Sequence, residues 1–143
     1  MAQTIVLVSC VSEKRAIASP AQELYTSDWF LKAASYARQL SPEWYILSAK
    51  YGLVHPNQVL EPYNQTLKTI GKAARMAWAE RVFAYFRPCL TLDSTVIFLA
   101  GQVYREFLVE RFAGSGCKIE VPMEGLRIGE QLKWLNKKLE RNA

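Results

Sequence analysis

The chain has 143 residues, half of them hydrophobic and 22% charged, with a formal net charge of +5. That length suits a single domain spanning 1–143, and the composition excludes a disordered, collagenous or disulfide-rich chain. The basic balance favours an anionic partner such as a nucleotide or nucleic acid.

The first apolar run, Ile5-Val6-Leu7-Val8, reads as a strand covered on both faces and is far too short to span a membrane, so no membrane partner is expected. Ser27 then offers an N-cap with Asp28 in the first turn, and Phe30, Ala33, Ala34 and Ala37 line one face of a helix over 27–40. Trp44-Tyr45-Ile46-Leu47 reads as the second strand. A long irregular segment, 49–66, follows; loops of that length in compact domains are often functional. Leu67, Ile70, Ala74, Ala77, Trp78 and Tyr85 recur at helical spacing and predict a helix over 67–87, stopped by Pro88.

Val96-Ile97-Phe98-Leu99 reads as the third strand, and a helix over 104–112 comes next, with Gly114 and Gly116 beyond its end. Ile119-Glu120-Val121 is the fourth strand. The last helix, 128–139, has Ile128, Leu132, Leu135 and Leu139 on one face, with Lys133, Lys137, Lys138 and Arg141 on a basic one. Alternating strands and helices with right-handed crossovers predict an α/β three-layer sandwich. Its four-stranded parallel sheet is expected in the order 2-1-3-4, with helices on both faces.

In open parallel sheets, ligands bind beyond the carboxyl ends of the strands. Four segments meet at that edge: Ser9 to Lys14, Ser48 to Gly52, Ala100 to Arg105 and Pro122 to Arg127. Lys14 and Lys50 suit a phosphate or carboxylate. Tyr25 can stack on a base or bond a phosphate, and Tyr51, Tyr63 and Tyr104 can form an aromatic wall. Gly52 allows a turn where a side chain would clash. The helix start at Ser27 can hold an anion, or Ser27 can simply cap it. Gly101, opening the third helix, permits close approach of an anion.

Glu61 and Glu124 are the candidate acid/base carboxylates. Cys10 is followed by Arg15 in a C-x4-R spacing, one short of the C-x5-R of low-molecular-weight phosphatases; a small buried hydrophobe at a strand end is the alternative. Cys10, Cys89 and Cys117 form no pairing framework and His55 is the sole histidine, so neither a metal site nor a cofactor is expected. The chain starts without a secretory leader, which points to a cytoplasmic, reducing compartment.

Several of these motifs fit together. Ser9-Cys10-x3-Lys14, Leu24-Tyr25-x-Ser27-x2-Phe30, Leu47-Ser48-Ala49-Lys50-Tyr51-Gly52-Leu53, Pro62-Tyr63 and Gly101-x2-Tyr104 resemble an uncharacterised family of small bacterial and phage domains. A more distant likeness is to YaaA-type proteins and to a domain of archaeosine synthase, which carries P-C-x3-K-P-Y-x2-S-x2-H. Cys10-x3-Lys14 matches its first half; Tyr25 and Ser27 follow at other spacing, and Phe30 stands where that pattern has histidine.

The resemblance implies a nucleobase or nucleic-acid setting. The expectation is therefore an enzyme acting on a base or modified base by N-glycosidic cleavage or base exchange. Lys50, Glu61 and Glu124 are its catalytic candidates. Ser9, Cys10, Lys14, Tyr25, Ser27, Ser48, Tyr51, Gly52, Tyr63, Gly101 and Tyr104 are the ligand-binding ones. The alternative is a non-catalytic nucleotide-binding or protein-interaction module.

Overall fold

A computed structural model describes residues 3–10 and 13–141; of the positions read above, Val11, Ser12 and the side chain of Arg141 lie outside the described residues. Strand β1 (Thr4–Ser9) is central, and its Ile5, Val6, Leu7 and Val8 have no exposed surface. The short elements β2 (Ser19–Pro20) and α1 (Ala21–Leu24) precede helix α2 (Asp28–Leu40). Then come β3 (Trp44–Ser48), β4 (Gly52–Val54), β5 (Val59–Leu60) and helix α3 (Lys72–Phe86). Strand β6 (Thr95–Leu99), α4 (Gln102–Gly114), β7 (Lys118–Glu120) and α5 (Ile128–Arg141) complete the chain.

The main sheet has five strands in the order β4-β3-β1-β6-β7. Strand β1 pairs in parallel with β3 and β6, and β6 with β7. The four parallel strands thus follow the expected order, but the sheet is not purely parallel: β4 adds an antiparallel edge next to β3. The chain crosses from β1 to β3 in one direction, then back past β1 to β6. Right-handed connections therefore put α2 on one face and α3 and α4 on the other. The packing of α2 on α5 and of α3 on α4 agrees with this.

The Leu47–Leu53 block explains the extra strand. Ser48 pairs with Gly52 across a three-residue turn, Ala49-Lys50-Tyr51, and Gly52 has φ +76°. Gly52 closes the turn in the left-handed region, which glycine adopts without a Cβ penalty. Two further bonds fix the turn. The Tyr51 N–H donates to Ser48 Oγ at 3.0 Å, and the Trp78 indole of α3 donates to the Ser48 carbonyl at 2.9 Å. Segment 49–66 is therefore partly ordered as β4 and β5, and β5 pairs with β2 in a second, two-stranded antiparallel sheet.

Alanine at position 52 would meet Val82 Cγ2 at an ordinary 3.9 Å, so the expected penalty is backbone strain alone. Gly52→Ala should lose about 1–2 kcal/mol of stability in chemical denaturation. Gly52→Asn should lose less, because asparagine visits the left-handed region more readily. Equal stability of all three chains would contradict this role for the glycine.

Helix α3 departs from the sequence pattern. It begins at Lys72, after a separate 3-10 turn at Leu67–Thr69, and buries Trp78, Ala79, Val82, Phe83 and Phe86. Ala74 and Ala77 are exposed, as is Tyr85. The apolar pattern runs through Gly71 in one phase, but α3 starts only after Gly71 and presents a neighbouring face. Helix α4 starts at Gln102, ahead of the expected position 104, with Gly101 as its N-cap.

Candidate functional site

A cleft of about 660 Å³ opens beyond the carboxyl ends of β1 and β6. The connections leaving these neighbouring strands diverge to opposite faces of the sheet, which is where open α/β sheets place ligands. The volume lies within the range of small-molecule sites. Ser9 and Cys10 form its floor at the end of β1, and Gly101 to Tyr104 form one wall at the start of α4. Trp29 of α2 and Ile128 and Gln131 of α5 line it as well, together with the Asn64–Thr66 segment and Lys68.

Hydrogen bonds join these pieces. Trp29 donates its indole N–H to Gln131 Oε1 at 2.8 Å, and Gln131 donates to the Leu126 carbonyl, so α2 and α5 are tied at the cleft. The Gly101 N–H donates to Ser9 Oγ at 3.3 Å, joining the ends of β1 and β6. No side chain caps α4, and its first turn holds no acidic residue. The N–H groups of a helix start carry partial positive charge, so this wall suits an anion.

Lys14 is placed by its backbone. It bridges Tyr25 in antiparallel fashion, flanked by Arg15 N–H to the Leu24 carbonyl and Thr26 N–H to the Glu13 carbonyl. Its ammonium lies 4.5 Å from the centre of the Tyr63 ring and 5.7 Å from that of Tyr25. Burial pulls the Lys14 pKa down from its ordinary value, and an electrostatic interaction with the neighbouring Cys10 partly opposes the shift. The result is a lysine seated on aromatic faces with its amine at the cleft wall.

Behind it runs a buried chain of hydroxyls. Tyr25 and Tyr63 meet oxygen to oxygen at 2.6 Å, and Tyr63 meets Ser48 Oγ at 2.8 Å. Burial, aided by an electrostatic interaction with Cys10, pushes the Tyr25 phenol up to about 12 and raises that of Tyr63 further. Both are neutral at physiological pH, and within the Tyr25–Tyr63 pair one hydroxyl donates and the other accepts. On the cleft floor Cys10 Sγ donates to the Tyr104 hydroxyl at 3.2 Å, and burial raises the Tyr104 pKa too.

Of the residues singled out in the sequence, Ser9, Cys10, Lys14, Gly101 and Tyr104 line the cleft together. Tyr25, Ser48 and Tyr63 form its buried support. Tyr25 has no exposed surface, which rules out the expected stacking of a base on its ring in this conformation. Ser27 caps α2 by accepting from the Phe30 N–H, so its hydroxyl is used in folding. Gly52 belongs to the hairpin, while Lys50 and Tyr51 form an exposed pair at its tip, 5.3 Å from ammonium to ring centre.

The carboxylates lie elsewhere. Glu61 is exposed and lines neither cavity described here, and Glu124 lies on a smaller adjoining pocket. Arg15 is also exposed and off the cleft, so Cys10 lacks the arginine that a phosphatase loop would need. Among the described residues no cluster of three or more His, Cys, Asp or Glu could hold a metal ion, and no helix is long and apolar enough to cross a membrane. Trp29, Asn64, Gln65, Lys68, Gln102 and Gln131 also line the cleft, although none is among the sequence-predicted site residues. Only Gln102, next to the helix-opening Gly101, carried a local signal.

A family model described as a family of unknown function (DUF6884) matches residues 5–137. The chain belongs to that family. No curated protein and no solved structure matches it. The match covers β1 through most of α5, so the cleft-lining residues of this DUF6884 chain all fall within the family region.

Proposed function

We propose that the cleft binds a nucleotide, or a base presented by a nucleic acid, and that the chain acts on that base by N-glycosidic cleavage or base exchange. The observation that carries the reading is the cleft itself. It combines an uncapped helix start, two lysines (Lys14 and Lys68) and apolar surface from Trp29, Val103 and Ile128. A phosphate belongs at the helix start and the lysines. A base belongs against the apolar wall, where the side-chain amides of Asn64, Gln65 and Gln102 offer both donors and acceptors to its edge. Cys10, Lys14, Lys68 and Tyr104 are the titratable side chains at hand for proton transfer, in place of Glu61 and Glu124.

A non-catalytic nucleotide-binding module is the second reading, and one observation favours it. No carboxylate and no imidazole is among the described residues lining the cleft.

A thermal-shift screen against nucleobases, nucleosides, nucleotides and short DNA and RNA tests the binding. A ligand of the native state must raise the midpoint. Lys14→Ala should weaken binding of a phosphorylated ligand about tenfold or more, by loss of a charge-assisted contact. No shift with any class, from protein shown to be folded, would remove the nucleotide reading. Chromatography of the bound mixture separates the two forms: release of free base marks the enzyme, and recovery of intact ligand marks the binding module.

A further inference from the structure

A second pocket of about 280 Å³ adjoins the cleft and shares Gly101, Gln102 and Gln131 with it. The first residues of α4 therefore stand as a partition between two cavities. The smaller one lies at the carboxyl end of β6, lined by Phe98 and Ala100 from that strand and its exit, and by Val121 and Met123 to Leu126 from the segment after β7. Its volume falls just under the usual range of small-molecule sites and leaves room for a compact polar group.

Its charged wall is Arg105, one turn into α4. The side chain is only 16% exposed, and its nearest carboxylate, Glu124 Oε2, stands at 3.8 Å, beyond hydrogen-bond distance. Among the described residues no side-chain nitrogen or oxygen is both buried and unsatisfied. Any of its N–H groups without a partner is therefore reached by solvent rather than sealed in the core, on a side chain that lines the pocket. A planar guanidinium suits a phosphate, which it can grip through two bonds at once. Glu124 is 68% exposed and held on one side only, so an incoming anion can displace it.

We propose that the two cavities form one bipartite site for a ligand carrying a second phosphate, with the first phosphate at the start of α4 and the second on Arg105. This rests on the nucleotide reading of the larger cleft. The second phosphate can belong to a nucleoside diphosphate or to the 5′ end of a strand; the chemistry at Arg105 is the same.

Calorimetric titration of the whole chain tests it with nucleoside monophosphates, the matching diphosphates, a 5′-phosphorylated dinucleotide, and inorganic phosphate against pyrophosphate. The second phosphate should tighten binding about tenfold or more. Arg105→Gln should erase that gain and leave monophosphate binding unchanged. Glu124→Gln, at an exposed position, should enlarge it by removing the competing carboxylate. Whether the diphosphate or the dinucleotide shows the Arg105-dependent gain identifies the source.

No gain in the wild-type chain, or the same gain in folded Arg105→Gln, would overturn the proposal. Failure of the nucleotide reading is separately visible: pyrophosphate would still bind more tightly than phosphate in an Arg105-dependent way, while no nucleotide bound better than its phosphate portion alone.

Discussion

Replacing Tyr63 by phenylalanine is expected to destabilise the chain by about 2 kcal/mol while leaving ligand binding nearly intact. The Tyr63 hydroxyl sits between two others, 2.6 Å from Tyr25 and 2.8 Å from Ser48. Its removal strips the closest partner from the Tyr25 hydroxyl, on a residue with no exposed surface. Ser48 loses one contact but keeps the Tyr51 N–H. A buried hydroxyl left short of partners carries its desolvation penalty in full, whereas replacing both partners by apolar groups is far milder. The Tyr25→Phe, Tyr63→Phe double variant should therefore recover part of the loss.

Lys14 rests on the face of the Tyr63 ring, which phenylalanine retains, so its amine should stay at the cleft wall. Denaturant titration of the wild type, both single variants and the double variant measures the coupling. A single Tyr63→Phe variant as stable as wild type, with additive effects in the double variant, would show that the hydroxyl chain contributes nothing to the fold.

The central parallel strands were legible in their short, continuously apolar runs. Ile5 to Val8 is apolar at every position, which only a strand covered on both faces tolerates over so short a run. Strand β4 was not legible. It is three residues long, opens on a glycine and belongs to an edge, so it carries neither alternation nor a continuous apolar run. Its hairpin also recasts the Ser48–Gly52 motif. The hydroxyl, the small turn residues and the glycine each have a folding role there, and the block had looked like the edge of a binding site because turn chemistry and site chemistry use the same residues.

The cleft was half legible. Its floor and the start of α4 follow from the strand ends, so Ser9, Cys10, Lys14, Gly101 and Tyr104 could be read from the order of elements alone. The opposite walls come from Trp29, Asn64 to Lys68 and Gln131, brought together by the packing of α2 on α5 and the path of the loop before α3. No local spacing marks those residues. The carboxylates were attractive as chemistry, but Glu61 and Glu124 are exposed and line no part of the cleft; Glu124 faces Arg105 at 3.8 Å in the adjoining pocket.

Alkali should unfold this chain cooperatively, because four buried phenols, Tyr25, Tyr36, Tyr63 and Tyr104, resist ionisation together. Burial raises Tyr25 from its ordinary 10 to about 12, and raises Tyr63 and Tyr104 as well. With the folded pKa above the unfolded one, the unfolded chain gives up the proton first as the pH climbs. The stability from each phenol is therefore whole below pH 10 and is lost as the pH rises through the folded value. For Tyr25 alone a shift of that size corresponds to roughly 3 kcal/mol. Lys14 acts with the opposite sign. Its folded pKa is lowered, so the unfolded chain holds the extra proton and stability rises with pH up to the ordinary value of 10.5. Above that value the tyrosines act unopposed.

Denaturant midpoints measured from neutral pH upward should fall steeply between pH 10 and about 12. The tyrosinate absorbance of the buried residues should appear together with loss of the fold, not before it. Tyr25→Phe should make the decline shallower. Tyrosinate forming on all seven tyrosines while the chain stays folded would mean that the hydroxyl chain behind the cleft is open to solvent.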